Sequence, residues 1–488
     1  MTLPTESEAL ARRAVEVAVA AGATYADARL LDLDEQHLAV RNGEVEGVGV
    51  SSSAGVGVRV LVHGCWGFAA AGVPEPAEVE AAARLAVEVA ESGRALQRSL
   101  VRLADLEPVQ DRWETPVDED PFTVPLDDKL ELLVRATRAM LGVPGTSVAT
   151  GGFHAWRRRS LFVSSEGTTV GQAIVHCGAG IAATAVGEDE TQTRSYPNSF
   201  GGDFGGGGYE LVRRLDLVGQ APRVAEEAVQ LLDADPCPAD TTTLVLDGSQ
   251  VSLQVHESIG HAIELDRVLG SEAAYAGTSF LTPADRGRLR YGSALLNVVA
   301  DATTPGALGT FGYDDEGVPA TSTPVVSEGV FRGFLSSRET AAAIGLDRSG
   351  GTMRAQSWAH LPLIRMTNVS LLPGESSSLD ELLDGVAHGV YLETNRSWSI
   401  DDRRVDFQFG TEWGREIRRG RLGRVLRNGT YGGRTTSFWG SLDALGGPDL
   451  WRAWGLPNCG KGQPGQVGYV AHGTAPARFR GVQVGGAR

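Results

Sequence analysis

The sequence predicts an α+β protein in two parts. Residues 1–235 form an N-terminal mixed α/β domain with strands and long helices, and residues 236–488 form a C-terminal β-rich domain that carries one histidine-bearing helix. Three observations predict this. Glycine supplies 63 of 488 residues, about 13% against about 7% in average proteins, with no three-residue period. Such an excess belongs to turns, bulges and tight connections between strands. The apolar pattern changes between helical and strand periodicity through the first half and is mostly strand-like, with Gly-rich turns, after Tyr291. Between the halves, Asp233-Ala234-Asp235-Pro236-Cys237-Pro238 is a proline-bearing break.

The elements follow in order. Glu8 to Ala21 is an amphipathic helix, with Leu10, Ala14, Val17, Ala18 and Ala21 at three- and four-residue spacing. Ala28–Leu31, Gln36–Val40 and Gly55–Val62 are strands, and Asn42-Gly43 marks a hairpin turn. Helices are expected from Pro76 to Ser92 and from Leu126 to Leu141, with Asp127 and Asp128 favouring the start of the second. Strands are expected again from Phe162 to Thr193, then a flexible Phe200–Gly208 segment and a helix from Pro222 to Leu232. The second half opens with a strand at Thr242–Leu246 and a helix around Val251 to Leu265. Short helices are expected near Arg338–Ile344 and Ser378–Gly385.

Composition narrows the function. With 44 basic and 61 acidic side chains the formal charge is −17, which argues against nucleic-acid binding, since phosphate contacts need a basic surface. The run Arg415–Arg427 is basic but reads as a solvated turn between strands. No basic start followed by an apolar run marks a signal peptide, and no run of 18 apolar residues marks a membrane span. The four cysteines (Cys65, Cys177, Cys237 and Cys459) lie far apart without a CxxC pair, unlike a disulfide framework. A cytoplasmic enzyme is the expectation.

The most informative segment is Val255-His256-Glu257-Ser258-Ile259-Gly260-His261-Ala262-Ile263-Glu264. In the familiar zinc-protease helix the two histidines are four apart, about 40° around the axis. Here they are five apart, about 140° on an ideal helix, so both rings reach one ion only if the turn widens. A π-bulge does this, and Gly260 is the residue type that permits distortion cheaply. The alternative is a helix with two unrelated histidines. A catalytic zinc site needs a third protein ligand; Glu264, Asp266 and Cys459 are the candidates. For Cys459, in Pro457-Asn458-Cys459-Gly460-Lys461-Gly462-Gln463, the neighbouring Lys461 would favour an ionised sulfur.

His256-Glu257-x-x-x-His261, joined to Asn458-Cys459-Gly460-Lys461, resembles the TldD/PmbA family of zinc metalloproteases, and specifically its catalytic TldD-like branch. The resemblance begins at Arg41-Asn42-Gly43-Glu44 and Gly55–Arg59 and continues through Thr310–Gly317, Met353-Arg354-Ala355 and Arg365-Met366-Thr367-Asn368. It implies that His256, His261 and Cys459 bind zinc and that Glu257 is the general base, leaving Glu264 and Asp266 behind the ligands or on the helix surface. It also implies peptide hydrolysis on unfolded or extended chains inside a closed dimer, the N-terminal domain serving dimerisation and the substrate chamber. The dimer is a homodimer or a heterodimer with a TldE/PmbA-like subunit. Two alternatives share the fold: a zinc amidase acting on a small molecule or modified peptide, and a non-catalytic partner subunit.

Other features are set aside. Gly178–Ala183 matches a dinucleotide fingerprint but lies inside a strand-like run. Asp314-Asp315-Glu316-Gly317 lacks the alternating ligands of a calcium loop and reads as a turn or a substrate-binding loop. No nucleophile-elbow motif supports serine catalysis. His37, His63, His154, His176, His360, His388 and His472 lack motif context and read as structural or solvated. Gly201–Gly208 reads as a disordered connector rather than a lid.

Overall fold

A computed structural model of the chain describes residues 5–485 apart from 73–74, 98 and 463–464; Met1–Pro4 and Gln463, read above, lie outside the described residues. The N-terminal half is built on one eight-stranded sheet. Its strands are β1 (Tyr25–Arg41), β2 (Glu44–Val62), β3 (Cys65–Ala71), β4 (Gln110–Glu114), β5 (Thr146–Ser164), β6 (Thr169–Val186), β7 (Thr191–Tyr196) and β8 (Asp203–Gly206). The order is β3-β2-β1-β5-β6-β4, with β7 and β8 also pairing β6. Asn42 and Gly43 both take positive φ, 52° and 80°, the conformation a tight hairpin turn requires.

Helices α1 (Thr5–Ala20) and α2 (Pro76–Gly93) bury small apolar residues against Val56, Val58 and Val60 of β2. A fully buried valine contributes about 1.5–3 kcal/mol. Close approach of α2 is permitted at Gly67, where a Cβ would stand 2.0 Å from Ala86 O. Helices α3 (Leu126–Leu141) and α5 (Leu217–Gln230), with the short α4 (Glu210–Arg214) beside them, cover β5 and β6.

Four local expectations are corrected here. Ala28–Leu31 and Gln36–Val40 belong to one 17-residue strand, because Arg159 pairs with Asp34 at 2.8 Å and neutralises the polar middle of β1. Strand β5 starts at Thr146, well before Phe162; its Gly151-Gly152 and Arg157-Arg158-Arg159 hid it, and those arginines find Asp120, Asp315 and Asp34. Helix α5 begins before Pro222, capped by Asp216, which accepts from Gly219 N at 3.3 Å. The Gly201–Gly208 connector contains an ordered strand, β8, antiparallel to β6. Its glycines are there for space: at Gly202 (φ 123°) a Cβ would sit 2.0 Å from Ala179 O, and at Gly178 2.3 Å from Asp203 O.

A second eight-stranded sheet starts with β9 (Asp235–Pro236) and β10 (Asp240–Leu246). β10 runs parallel to His388–Ile400 and antiparallel to Ala477–Val484; beyond them lie Thr430–Arg434, Asp406–Arg418 and Arg421–Arg427. The basic run is the hairpin of the last two, turning at Arg419-Gly420, with Arg424 paired to Asp235 and Arg427 to Glu190. A smaller four-stranded sheet, the short pair Met353–Arg354/Leu363–Ile364 and the hairpin Arg452–Lys461/Gln466–Thr474 also belong to this half.

Buried ion pairs join the two halves. Asp315 receives Arg29 at 2.9 Å and Arg158 at 3.0 Å, and Glu316 receives Arg59 at 3.1 Å. The Asp314–Gly317 segment is therefore a buried turn that clamps the N-terminal sheet, the first of the two readings its sequence offered.

Candidate metal centre

β10 ends at Leu246, and Asp247 caps helix α6 (Gly248–Val255) by accepting from Ser249 N at 2.9 Å and Gln250 N at 3.0 Å. Every residue of α6 is buried. The helix then widens into a π-turn over His256–Gly260, and His261 N donates to His256 O, five residues back, at 3.1 Å. The wide turn is held from outside: Ser258 O accepts from the Tyr291 hydroxyl at 2.5 Å, and Ser258 Oγ accepts from Trp439 Nε1 at 2.9 Å. Gly260 is not left-handed; a Cβ there would stand 2.2 Å from Met366 Sδ, so any larger residue has to displace that buried side chain.

The widened turn brings both imidazoles to one side, with ring centroids 4.8 Å apart. Cys459, on Arg452–Lys461, joins them, its Sγ 3.9 Å from His261 Nε2. One ligand atom from each of the three lies within 4.8 Å of the others, and all three side chains are buried. Each imidazole is oriented through Nδ1. His472 Nδ1 donates to Val369 O at 2.7 Å, so His472 Nε2 accepts from His256 Nδ1 at 2.8 Å. His261 Nδ1 donates to Glu264 Oε2 at 3.0 Å. Nε2 of both rings is thereby left with its lone pair, the tautomer a metal requires.

The electrostatics agree with a ligand set. Burial pushes the His256 and His261 pKa values down, which keeps both rings neutral. Burial pushes the Cys459 thiol up, but Arg365 and His261 outweigh it and hold it below its ordinary value. Lys461, expected to assist the sulfur, is fully buried elsewhere, 2.8 Å from Asp266 and 3.3 Å from Glu264. Burial raises the Glu264 carboxyl, yet Lys461, His261 and Arg267 together bring it well below the usual range. Glu264 and Asp266 thus support the site from behind, and neither lies on a helix surface.

Glu257 is buried beside His256 without belonging to the ligand cluster, and its Oε2 is 3.0 Å from Arg404 Nη1. These groups border a cavity of about 410 Å³ whose apolar walls include Phe200, Trp398, Ile400 and Leu456. Sequence reasoning missed His472, Arg404 and the role of Arg365. The sequence holds no local signal for them, because each acts on a residue about 100 or more positions away. His472, which lacks motif context, orients the His256 ring through its own.

Three family models cover the chain: PmbA/TldA metallopeptidase domain 1 at residues 26–90, the central domain at 119–233 and the C-terminal domain at 239–486. A metalloprotease of Methanothermobacter thermautotrophicus is 30% identical over 95% of both chains. A protein named metalloprotease TldD homolog, from Buchnera aphidicola, is 27% identical over 54% of this chain and 52% of its own. The crystal structure of TldE from Thermococcus kodakarensis shares the fold at 16% identity, with a TM-score of 0.77 over 98% of this chain and 100% of that one. The chain therefore belongs to the PmbA/TldD metallopeptidase family.

Proposed function

We propose that this chain is a zinc-dependent metallopeptidase of the TldD-like branch that hydrolyses peptide bonds of unfolded or extended peptides. The observation that carries the reading is the cluster of His256, His261 and Cys459, with both tautomers set and an unligated Glu257 alongside, opening on one cavity. The donor set suits zinc, since two neutral imidazoles and a thiolate leave a fourth position open. Bound zinc supplies Lewis-acid polarisation of a carbonyl and a lowered pKa for water. Glu257 takes the proton of the attacking water and delivers it to the departing amine. Arg404 orients the Glu257 carboxylate, and Phe200 and Trp398 offer apolar surface to a bound peptide side chain.

The neighbouring strand His388–Ile400 is paired with β10 only over Gly389–Leu392, so its later edge suits an extended peptide that pairs by main-chain hydrogen bonds. The partner in this reading is a second subunit, either another copy or a TldE/PmbA-like chain, and the setting is cytoplasmic. Among the described residues all four cysteines are free, and no helix is long and apolar enough to cross a membrane. Two domains, 1–235 and 236–488, fit the separate membership of the two large sheets. A likeness to TldE speaks to fold alone; the retained ligand cluster and Glu257 favour the catalytic subunit over its inactive counterpart.

Purified protein is expected to hold about one zinc per chain by elemental analysis. Glu257→Ala should abolish cleavage of unstructured peptides while keeping the metal, and Cys459→Ser should weaken metal retention. Metal content unchanged after loss of both His256 and His261 overturns the assignment. Cleavage of small amides but no peptide would move the reading to an amidase.

A further inference from the structure

A second cavity, of about 60 Å³, lies between the two halves of the chain on the far side of the Cys459 hairpin. Trp156 and Ile174 of the N-terminal sheet form one wall, and it opens beside the exposed Val467. Three guanidinium groups border it: Arg158, Arg354 and Arg365. Only one carboxylate, Asp315, faces them, and it is already shared between Arg29 and Arg158. Arg354 spends its terminal nitrogens on carbonyls, Tyr469 O at 2.6 Å and Met366 O. Arg365 does the same with Gln466 O at 3.2 Å and Cys459 O. Neither meets a carboxylate among the described residues, and the Nε of each is buried without a hydrogen-bond partner.

Arg365 also faces the Cys459 sulfur and favours its ionised form, whereas the terminal nitrogens of Arg354 meet neutral carbonyls, and a buried cation so answered is unfavourable unless something compensates it. The strain is visible in Arg354, whose pKa burial and then Arg365 bring down to about 9. His176 also borders the cavity, but burial holds it to about 3, so it is neutral and adds no charge. The volume is large enough for an occupant. One water needs about 10–15 Å³ by the same measure, so the space takes a few waters or one small anion.

We propose that this cavity is an anion-binding site, in which Arg354 and Arg365 hold a small monovalent anion such as a halide or a carboxylate group. The carboxylate has two possible sources, a free ion in solution or the end of a bound peptide, and the chemistry of capture is the same. The inference does not depend on the peptidase reading; Arg365 is shared with the Cys459 side of the metal centre, and Arg354 is not among the residues of that centre.

Crystals of the full wild-type chain soaked in sodium bromide test it. Anomalous scattering should place bromide in the cavity within hydrogen-bond reach of Arg354 and Arg365. In solution, bromide should raise the thermal midpoint in a saturable way, and acetate should displace it where acetamide does not. Arg354→Met, checked for folding by circular dichroism, should bind bromide at least tenfold more weakly; if that variant does not fold, the wild-type crystals decide. A peptide with a free C-terminus that displaces bromide tenfold better than its amide identifies the peptide source. Displacement by neither peptide, with bromide still bound, identifies the free ion. Bromide on the surface but absent from the cavity overturns the proposal, as does unchanged affinity in a folded Arg354→Met protein.

Discussion

Replacing Gly260 by alanine separates two reasons for a glycine in the π-turn. If backbone freedom were the reason, the added methyl would destabilise through strain; Gly260 is not left-handed, so on backbone grounds alone it should gain about 1 kcal/mol of helix propensity and reduced unfolded-state entropy. In the folded chain, however, that methyl would stand 2.2 Å from Met366 Sδ, 3.0 Å from its Cε and 3.3 Å from its Cγ. Favourable contact needs about 3.5–4.0 Å, so Met366 must move by more than an ångström. It is fully buried in the core beside the turn and has little room to do so. Overpacking costs about 1–3 kcal/mol, and an overlap this deep belongs at the upper end. Net destabilisation of about 2 kcal/mol is therefore expected after the propensity gain is subtracted. Denaturant unfolding followed by tryptophan fluorescence measures it, with Trp439 bonded to Ser258 inside the turn. In a Met366→Ala background the same Gly260→Ala change should become neutral or stabilising, giving a coupling of about 1–3 kcal/mol. A Gly260→Ala protein as stable as wild type, with no coupling to Met366, refutes the packing argument.

Other expectations follow from the groups around the cluster. Glu264→Gln leaves Arg267 as a buried cation without its carboxylate and Lys461 with Asp266 alone, so calorimetry should record a loss of about 3–5 kcal/mol; near-wild-type stability contradicts the network. His472→Ala removes the acceptor that sets the His256 tautomer, and competition with a chelating dye should show metal affinity down about 10–100-fold; an unchanged affinity rules out that role. Glu412 is pushed up to about 7, by burial first, from an ordinary value of 4.5. Its folded pKa lies above its unfolded one, so its contribution is fully present below pH 4.5 and is lost as pH rises through 7, by roughly 3 kcal/mol. Glu412→Gln should flatten the fall in stability between pH 5 and 8, and identical pH profiles for the two proteins would exclude Glu412 as its source.

Much of the fold was legible because its signals are local. The helix Leu126–Leu141 coincides with its periodicity, and Asn42-Gly43 turns where such a pair turns. The two missed strands share one cause. β5 contains glycines and arginines, and β8 glycines, that weaken any local strand signal, and they are strands because distant partners supply close backbone contact and, for β5, counter-charges.

For the candidate site, the sequence by itself set the condition that two histidines on one ion would need a widened turn. A separation of five positions between His256 and His261 is a statement about angle per residue, and only a widened turn turns both rings the same way. It also carried the family resemblance, through motifs spread along the chain. Tertiary structure alone decided which residues orient and charge that turn: His472 behind His256, Arg365 beside Cys459 and Arg404 on Glu257. It also reassigned Lys461 from the sulfur to Glu264 and Asp266. The reason is physical: periodicity records which face of an element is buried, whereas these contacts join positions about 100 or more residues apart and come into being only when the two sheets and the Cys459 hairpin pack.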